Sequence, residues 1–599
     1  MHPEAQPPEP PAPLDADIVC TGFGPAMAGF LLTLTRGLQQ PEMAGVESRA
    51  IPGLPPQVVC YERADDISFG VSGVVTRARA IRASLPDLDP AEIPLAARVR
   101  QEKLLYLLDP VGASRRPAWM RLADQVCRAL SAVLGVKDEA LELPWIPPFL
   151  HKGDGFIFSL GQFNQWVGQQ VMMSGLAQVW PAAPVASPLI EDGRVAGVRL
   201  AADGSEVRAA LTVVGDGPVG AVGRQLDQHF GMPAGRRRDE WAVGMKMVID
   251  LPESCTLEEG TVWHTIGYPE PEIFGFLYVH PGRIASAGIF VPSWMDSPVR
   301  TSYRYLQHFI QHPRLWRHLE GGRLRSWGAK SLLESGRRGE PYLAGDGYAR
   351  IGECSGSTNV LTGSGVDEAW LTGVQLAEAV LELLREGAPF TRENLERTYV
   401  ARRRASWLER ESVAAERARN GFQWGLLPGF VGMALAGLTG GRLALPRRGG
   451  DRRPKTLADY YAGRLSRAEI ERAKARAEAE ARPLHDLLMD LCGWPPIPYD
   501  GRLLVSHQDA LLMGGKVQAP AEFPDHVIFR RPQLCRDCEA HLCVEICSGE
   551  AIRVSAEDPA GPPAFDREKC VHCGACLWNC PVSNIEFCAA PGGLHSAEN

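Results

Sequence analysis

At 599 residues, 45% hydrophobic and 22% charged, the chain is too long for one small core and too apolar for a disordered one. A formal net charge of −8 over this length excludes the strongly basic character of a general nucleic-acid binder, so no nucleic acid is expected among its partners. No stretch reaches the ~20 apolar residues that span a bilayer.

Residues 1–16 are rich in Pro, Glu and Ala and read as a disordered tail, without the basic start and apolar core of a secretory signal. Asp17–Cys20 reads as a short buried strand, Thr21–Gly29 as a Gly-rich turn and the apolar run from Phe30 as a helix. Together they open a dinucleotide-binding βαβ unit. A loop over 40–56 precedes a second strand, Gln57–Glu62, that ends in an acid. Further on, Gly155–Ser159 reads as a strand, 162–171 as a helix and 189–200 as a hairpin about Asp192-Gly193. Val207–Gly217 is a strand running into another Gly turn. Aromatic, alternating runs such as Ile273–Val279 place a separate sheet between 240 and 335. Tyr348–Glu353 is a last strand and 369–384 a helix. The charge-free run 421–438 is followed by Arg442, Arg447, Arg448, Arg452 and Arg453, and 456–490 reads as a charged surface helix.

Nine of the fifteen cysteines lie between Cys535 and Cys588, and without a secretory signal such crowding points to metal or redox chemistry. The other six (Cys20, Cys60, Cys127, Cys255, Cys354, Cys492) are expected as small buried hydrophobes. The first group is Cys535-x2-Cys538-x4-Cys543-x3-Cys547. The second, Cys570-x2-Cys573-x2-Cys576-x3-Cys580-Pro581, is the bacterial ferredoxin run, whose fourth cysteine ligates the other cluster. That rule predicts one [4Fe-4S] cluster on Cys547, Cys570, Cys573 and Cys576, and a second on Cys535, Cys538, Cys543 and Cys580. A pair of zinc ribbons is the alternative, and the tight spacing disfavours it. His541 and His572 are expected to face solvent or to lie behind the ligands. Tyr278 and His280 are expected as core and edge residues.

In the first turn, Gly22 permits the bend and Gly24 lets a pyrophosphate approach the helix N-terminus, while Glu62 suits the ribose hydroxyls. Two features depart from the motif. Met27 stands where the third glycine belongs, and Glu62 lies 38 residues beyond Gly24 against a usual ~20. The two later Gly turns, Gly215-Asp216-Gly217 and the one at 352–356, favour FAD over NAD, because a flavin dinucleotide needs further strands for its ring. The 421–438 segment reads as either a buried core helix or an interfacial one. The interfacial reading places Phe422, Trp424 and Phe430 near lipid headgroups and the arginines on anionic lipid.

With these residues in order, the chain resembles the electron-transfer flavoprotein–ubiquinone oxidoreductase family. The likeness runs from Asp17 to about Cys588 and is best in GFGPAMAG, YERADDISFGVSGVV, GDGFIFSLGQFNQWVGQQ, HTIGYPEPEIFGFLYVHPGRIASAGIFV and YARIGECSGSTNV. The resemblance implies an α/β fold in three parts. These are a discontinuous FAD-binding Rossmann-like domain of glutathione-reductase-like type (17–235 and 336–420), a β-rich quinone or substrate domain (236–335) and a C-terminal α+β ferredoxin-like domain (501–599). A membrane-surface segment (421–446) and a charged helical insertion (447–500) lie between the second FAD-binding segment and the ferredoxin-like domain. The resemblance further implies that Gly22, Gly24, Ala26 and Glu62 hold the adenosine half of FAD. Gly352, Glu353, Gly356, Asn359 and Gly365 would line its ribityl and flavin side, and Phe274, Gly275, Phe276 and Tyr278 the quinone pocket. Cys547, Cys570, Cys573 and Cys576 match the ligands of the family's single cluster. The implied partners are an electron-transfer flavoprotein, a quinone and the membrane surface. The implied site is the cytoplasmic face of a bacterial inner membrane, reached as a peripheral, monotopic protein.

Several positions depart from the family. Cys580 stands where many members have Asp, and Cys535, Cys538 and Cys543 lack counterparts. The run Ser364–Ala369 replaces Lys-Gly-Thr-His-Thr-Ala beside the flavin, Leu333 replaces a polar residue and Ser159 an Arg. Such changes near the ring bear on flavin potential. Three alternatives remain at this point: a fused FAD/ferredoxin subunit of an electron-bifurcating flavoprotein complex, a flavin-dependent reductase of prenyl-lipid double bonds, and a non-enzymatic redox scaffold.

Overall fold

The computed structural model describes residues 14–590 apart from 68–72, 296–301, 451–454, 456, 481, 483, 513–522 and 539–540. Most of the expected tail, and Arg452 and Arg453, lie outside the described residues.

The Gly-rich turn opens an eight-stranded sheet. Its central strand, Ala16–Thr21, pairs in parallel with Val58–Tyr61 on one side and Glu206–Val214 on the other. Ala177–Trp180 extends the first side, Tyr348–Arg350 and Ala344–Gly345 the second. The strand Ala16–Thr21 is buried throughout, as a parallel strand covered on both faces must be. Val185–Glu191 and Arg194–Leu200 form the expected hairpin, laid antiparallel along Glu206–Val214. Because all the central strands run the same way, the turns that follow Thr21, Val214 and Arg350 gather at one edge of the sheet.

The helix Pro25–Leu38 leaves the first turn and packs against the long helix Val366–Arg385. The two approach so closely that a Cβ on Gly373 would stand 1.9 Å from the Ala26 carbonyl oxygen, and one on Gly29 2.9 Å from that of Trp370. The missing third glycine is thereby explained. Gly29 supplies the close approach two positions later than expected, while Met27 is fully buried with its methyl against Gly215. The late arrival of Glu62 is explained too. Residues 40–56 make an excursion with one short helical turn, Pro41–Met43, and the second strand then pairs in normal register.

A seven-stranded sheet forms the second part, in the order Arg323–Leu333, Trp241–Asp250, Ile284–Pro292, Phe274–His280, Thr261–Ile266, Gln101–Leu107, Ala140–Glu142. The segment 241–333 therefore does not make its sheet alone, because Gln101–Leu107 joins it in parallel from far upstream. A small sheet of Val74–Thr76, Phe156–Phe158 and Ala97–Arg98 lies against it. In 447–500, Tyr460, Tyr461, Leu465, Ile470, Ala473 and Leu488 build a core of their own, so this insertion is more than one charged surface helix. Its Arg464 donates to the Ala113 carbonyl at 2.7 Å.

The charge-free segment forms a helix, Leu426–Thr439, entered through a tight turn at Asn420–Trp424. Among the described residues no helix is long and apolar enough to cross a membrane. The C-terminal module carries two short antiparallel strand pairs, Val527–Phe529 with Ile585–Phe587 and Ile552–Arg553 with Ala564–Phe565.

The helix crossing gives the first prediction. Gly373→Ala should lower stability by about 2 kcal/mol through overpacking and reduce the flavin retained on purification, since Ala26 lies in the first turn of the dinucleotide helix. A melting temperature and flavin content equal to the parent's would contradict this packing.

Candidate functional site

At the gathered strand ends, Gly22 has φ +79°, and a Cβ there would press on the Gly215 carbonyl at 2.9 Å. A Cβ on Gly24 would meet nothing within 4 Å, and the helix that follows has neither a side-chain cap nor an acid in its first turn. Free amides facing open space at a helix N-terminus are what a pyrophosphate requires. Glu62 is buried, and its carboxylate accepts from Phe23 N at 2.5 Å and Ala64 N at 2.8 Å. These bonds fix the acid beside the turn and leave lone pairs for ribose hydroxyls. Asp216, half-buried after the second turn, accepts from Gly223 N at 3.1 Å, and desolvation raises its pKa.

The third turn completes the cradle. Gly352 sits at φ +64°, where a Cβ would touch that of Ala26 at 2.8 Å, and Gly356 lies at φ +69°. Two side chains expected at the flavin also hold backbone. Glu353 accepts from Leu333 N at 2.9 Å and from Thr358 N at 3.0 Å, and Asn359 accepts from Leu361 N at 3.1 Å. Ser357 Oγ, within this loop, is buried with no partner, as a donor for a bound ligand would be. Gly365 caps the long helix. The residues present fit a dinucleotide with a long second half.

The cysteine module docks on the edge strand Arg323–Leu333. Ser331 N donates to the Cys573 carbonyl at 2.9 Å, and Trp578 Nε1 donates to Ser331 Oγ at 2.9 Å. Trp578 also stacks on Trp241, with ring centroids 6.3 Å apart. Two residues beyond Ser331, Leu333 N holds Glu353, so one strand end touches both the cysteines and the flavin-side loop. Between them lie two half-buried cations. Burial lowers the pKa of Arg63, which Glu62 and the Cys570 thiol oppose; burial and Arg63 lower that of Lys330 to about 8, against the pull of Cys573, Glu62 and Asp216. His572 does not face solvent. It is buried against Phe587 and His526, and its amide donates to Cys570 Sγ at 3.4 Å. His526 Nε2 lies 3.1 Å from the same sulfur. Of the scattered cysteines, Cys20, Cys60 and Cys354 are buried as expected, whereas Cys127, Cys255 and Cys492 are only partly so.

In the aromatic strand, Phe276 stacks on Tyr278 at 4.4 Å, with the half-buried Lys246 ammonium 5.5 Å from the Phe276 ring. Gly275 leaves room for Phe309 on the other face. Phe274 meets Phe422 and Phe430 edge to face at 6.4 and 6.2 Å, so the apolar helix roofs the start of this strand. The outer side of that helix exposes Trp424, Leu427, Val431 and Leu438 at helical spacing. Sequence reasoning missed a second stripe of this kind. Trp119, Leu122, Val126, Leu130 and Val133 are all exposed, Val133 to 83%. Its periodicity was legible in the run after Pro117.

Sequence reasoning also missed a buried row of acids and bases. Glu368 accepts from Ser364 Oγ at 3.0 Å and Thr362 Oγ1 at 3.2 Å, and Lys152 Nζ donates to the Thr362 carbonyl. Burial, helped by Asp367 and opposed by Lys152, raises the Glu368 pKa to about 7. Burial lowers Lys152 to about 8, with Glu368 opposing. The Lys152 amide donates to Glu102, which also pairs with His264 at 2.7 Å and the half-exposed His151 at 2.6 Å. Asp367, by contrast, caps the helix Arg79–Ser84 by accepting from three of its amides. No spacing motif marks Lys152, and an Asp-Glu pair opening a helix reads as ordinary N-terminal charge.

A family model described as "ETF-QO, ubiquinone-binding" matches residues 241–332, and one described as "4Fe-4S binding domain" matches 562–585. The electron transfer flavoprotein-ubiquinone oxidoreductase of Arabidopsis thaliana mitochondria is 26% identical, over 76% of this chain and 70% of that protein. The Pseudomonas aeruginosa protein of the same name is 25% identical over 68% and 70%, and the Caenorhabditis elegans mitochondrial one 24% over 96% and 90%. Among solved structures, a geranylgeranyl bacteriochlorophyll reductase-like protein from Thermoplasma acidophilum is 16% identical at a TM-score of 0.49, over 80% of this chain and 99% of that one.

The Glu368 site has a signature in stability. A carboxyl whose pKa is raised on folding takes up a proton, so it costs stability as pH climbs from its unfolded value towards about 7. Lys152, Asp367, Glu102 and Arg77 bear on this site and are the same in parent and variant. Glu368→Gln should therefore gain melting temperature relative to the parent between pH 5 and 7.5 (about the titration range of a raised carboxyl). A constant difference across that range would contradict the raised carboxyl.

Proposed function

From its similarity to the electron-transfer flavoprotein–ubiquinone oxidoreductases, we propose that this chain passes electrons from an electron-transfer flavoprotein, through FAD and an iron–sulfur cluster, to a quinone. The observation that carries the proposal is the shared strand end, where Ser331 holds Cys573 and Leu333 holds the flavin-side Glu353. The match of 241–332 to a quinone-binding model favours this reading over the prenyl-lipid reductase and the scaffold.

FAD, once bound, supplies a carrier that trades single electrons with a cluster and electron pairs with a quinone. Gly22, Gly24 and Ala26 would seat its pyrophosphate on the helix N-terminus, Glu62 would take the ribose, and Gly215–Gly217 and the loop from Gly352 to Gly365 would close over the rest. Cys547, Cys570, Cys573 and Cys576 would hold the cluster, and the half-buried Arg63 and Lys330 beside it would stabilise the more negative, reduced state. Phe274, Gly275, Phe276 and Tyr278 would line the quinone pocket, where stacked rings exclude water. Quinone reduction consumes two protons. Glu368, whose pKa lies near neutrality, can hold one at its carboxyl, with Lys152, Glu102 and His151 in line towards solvent.

The quinone is a lipid, and the roof over Phe274 is the apolar helix. The outer faces of Leu426–Thr439 and of Trp119–Val133 would lie in the headgroup region, with Arg442, Arg447 and Arg448 on anionic lipid. The two are joined through 145–149, since Leu134 lines a cleft with Trp145 and Phe149 packs against Gly437. The protein would thus sit peripherally, on the cytoplasmic face of a bacterial inner membrane.

Two experiments test this. Mixing the reduced holoprotein with a soluble quinone should reoxidise flavin and cluster within seconds; retention of both reduced for minutes would contradict the quinone reading. Leu427→Asp/Val431→Asp should weaken binding to anionic phospholipid vesicles by about tenfold or more, as expected for losing two buried apolar side chains, while flavin content stays at the parent level. Unchanged vesicle binding would contradict the membrane-facing helix.

A further inference from the structure

The C-terminal module is built twice. The third cysteine of each run, Cys543 or Cys576, is the second residue of a short helix, Leu542–Glu545 or Ala575–Asn579. Each helix is entered from a left-handed residue, His541 at φ 35° or Gly574 at φ 76°. The fourth cysteine of each run accepts an amide hydrogen bond from four residues ahead. Ala551 N donates to Cys547 Sγ and Asn584 N to Cys580 Sγ, both at 3.2 Å. A strand then begins at the same offset, Ile552 in one half and Ile585 in the other. The first run's two extra residues precede His541, outside this repeated frame.

The halves also exchange their last cysteines. Asn584, which donates its amide to Cys580, donates its side chain to Cys535 Sγ at 3.2 Å, joining thiols from opposite runs. Reciprocally, Cys573 Sγ lies 3.6 Å from the hydroxyl of Ser548, the neighbour of Cys547. All eight thiols are free of disulfides. Among the described residues no three such groups converge as ligands of a single ion do. A four-iron core instead places each thiolate on its own iron at a corner of a cube.

We infer that Cys535, Cys538, Cys543 and Cys580 hold a second four-iron, four-sulfur cluster, beyond the one on Cys547, Cys570, Cys573 and Cys576. The second site reaches the surface, because Cys538 is half-buried beside the exposed Arg536 and Asp537. It is therefore the point where a soluble one-electron carrier exchanges electrons with the protein. The added step is outer-sphere: one electron passes between the clusters, and no bond or proton moves. The direction of flow rests on the proposed function, whereas the existence of the site does not.

The test is the iron and acid-labile sulfide content of the full-length protein, reconstituted anaerobically with iron and sulfide and counted per FAD. The parent should hold about eight of each. Cys543→Ala, and separately Cys538→Ala at its less buried position, should each cut both counts by half. Both variants should also remove the magnetic coupling between the two reduced clusters from the paramagnetic resonance spectrum, leaving a simple single-cluster signal. Cys573→Ala should instead remove the other cluster. About four irons in the parent, or an unchanged count in both Cys543→Ala and Cys538→Ala, would overturn the second site. If Cys573→Ala alone lost iron, the second site would fall while the proposed function stood.

Discussion

One edge strand organises this protein. Arg323–Leu333 pairs along one side with Trp241–Asp250, which leaves its other side as an open row of amides. Unpaired edges invite uncontrolled pairing and are covered in native proteins. Here the cover is functional. Leu324 N donates to Arg502 O, Ser331 N to Cys573 O and Leu333 N to the Glu353 carboxylate. Amides alternate in direction along a strand, so positions 324 and 331 would ordinarily point opposite ways. The irregularity opposite Val248 and Ile249, which leaves Arg325 unpaired in register, restores them to the same side. A single bulge thus lets one strand hold the linker, the cysteine module and the flavin-side loop.

The rest of the site depends on this arrangement. Electron transfer needs its carriers held close and still, and here rigid backbone bonds do the holding. The stacked Trp241 and Trp578 add an aromatic contact across the same junction. Three strands across the same row of the sheet, from Lys330 through Gly244 and Phe290 to Phe274, a different need is met. There the aromatic strand from Phe274 meets the apolar helix, so a lipid-soluble acceptor would reach the site without crossing water.

The legible features were those with a local period or spacing. The first βαβ unit, the hairpin at 185–200, the helix from Val366 and the ferredoxin run could be read because adjacent residues define them. What depended on partners distant in sequence could not. Gln101–Leu107 joins the second sheet through Thr261–Ile266, a pairing that no local pattern announces. Met27 looked like a defect until Gly29 and Gly373 were seen to make the close helix crossing. Lys152 and Glu368 lie far apart in the chain and meet only at Thr362. Glu353 and Asn359, expected at the cofactor, also hold backbone, Glu353 the end of the edge strand and Asn359 its own loop, which no spacing announces.

The central claim is that the cysteine module and the flavin form one electron path across the end of Arg323–Leu333. The most direct measurement is paramagnetic resonance of the partly reduced holoprotein, comparing the relaxation of the one-electron flavin signal with the neighbouring cluster oxidised and reduced. The account predicts that the reduced cluster strongly accelerates that relaxation, and that Ser331→Pro, which removes the amide bonded to Cys573, weakens the effect. A flavin signal indifferent to the state of the cluster would contradict it.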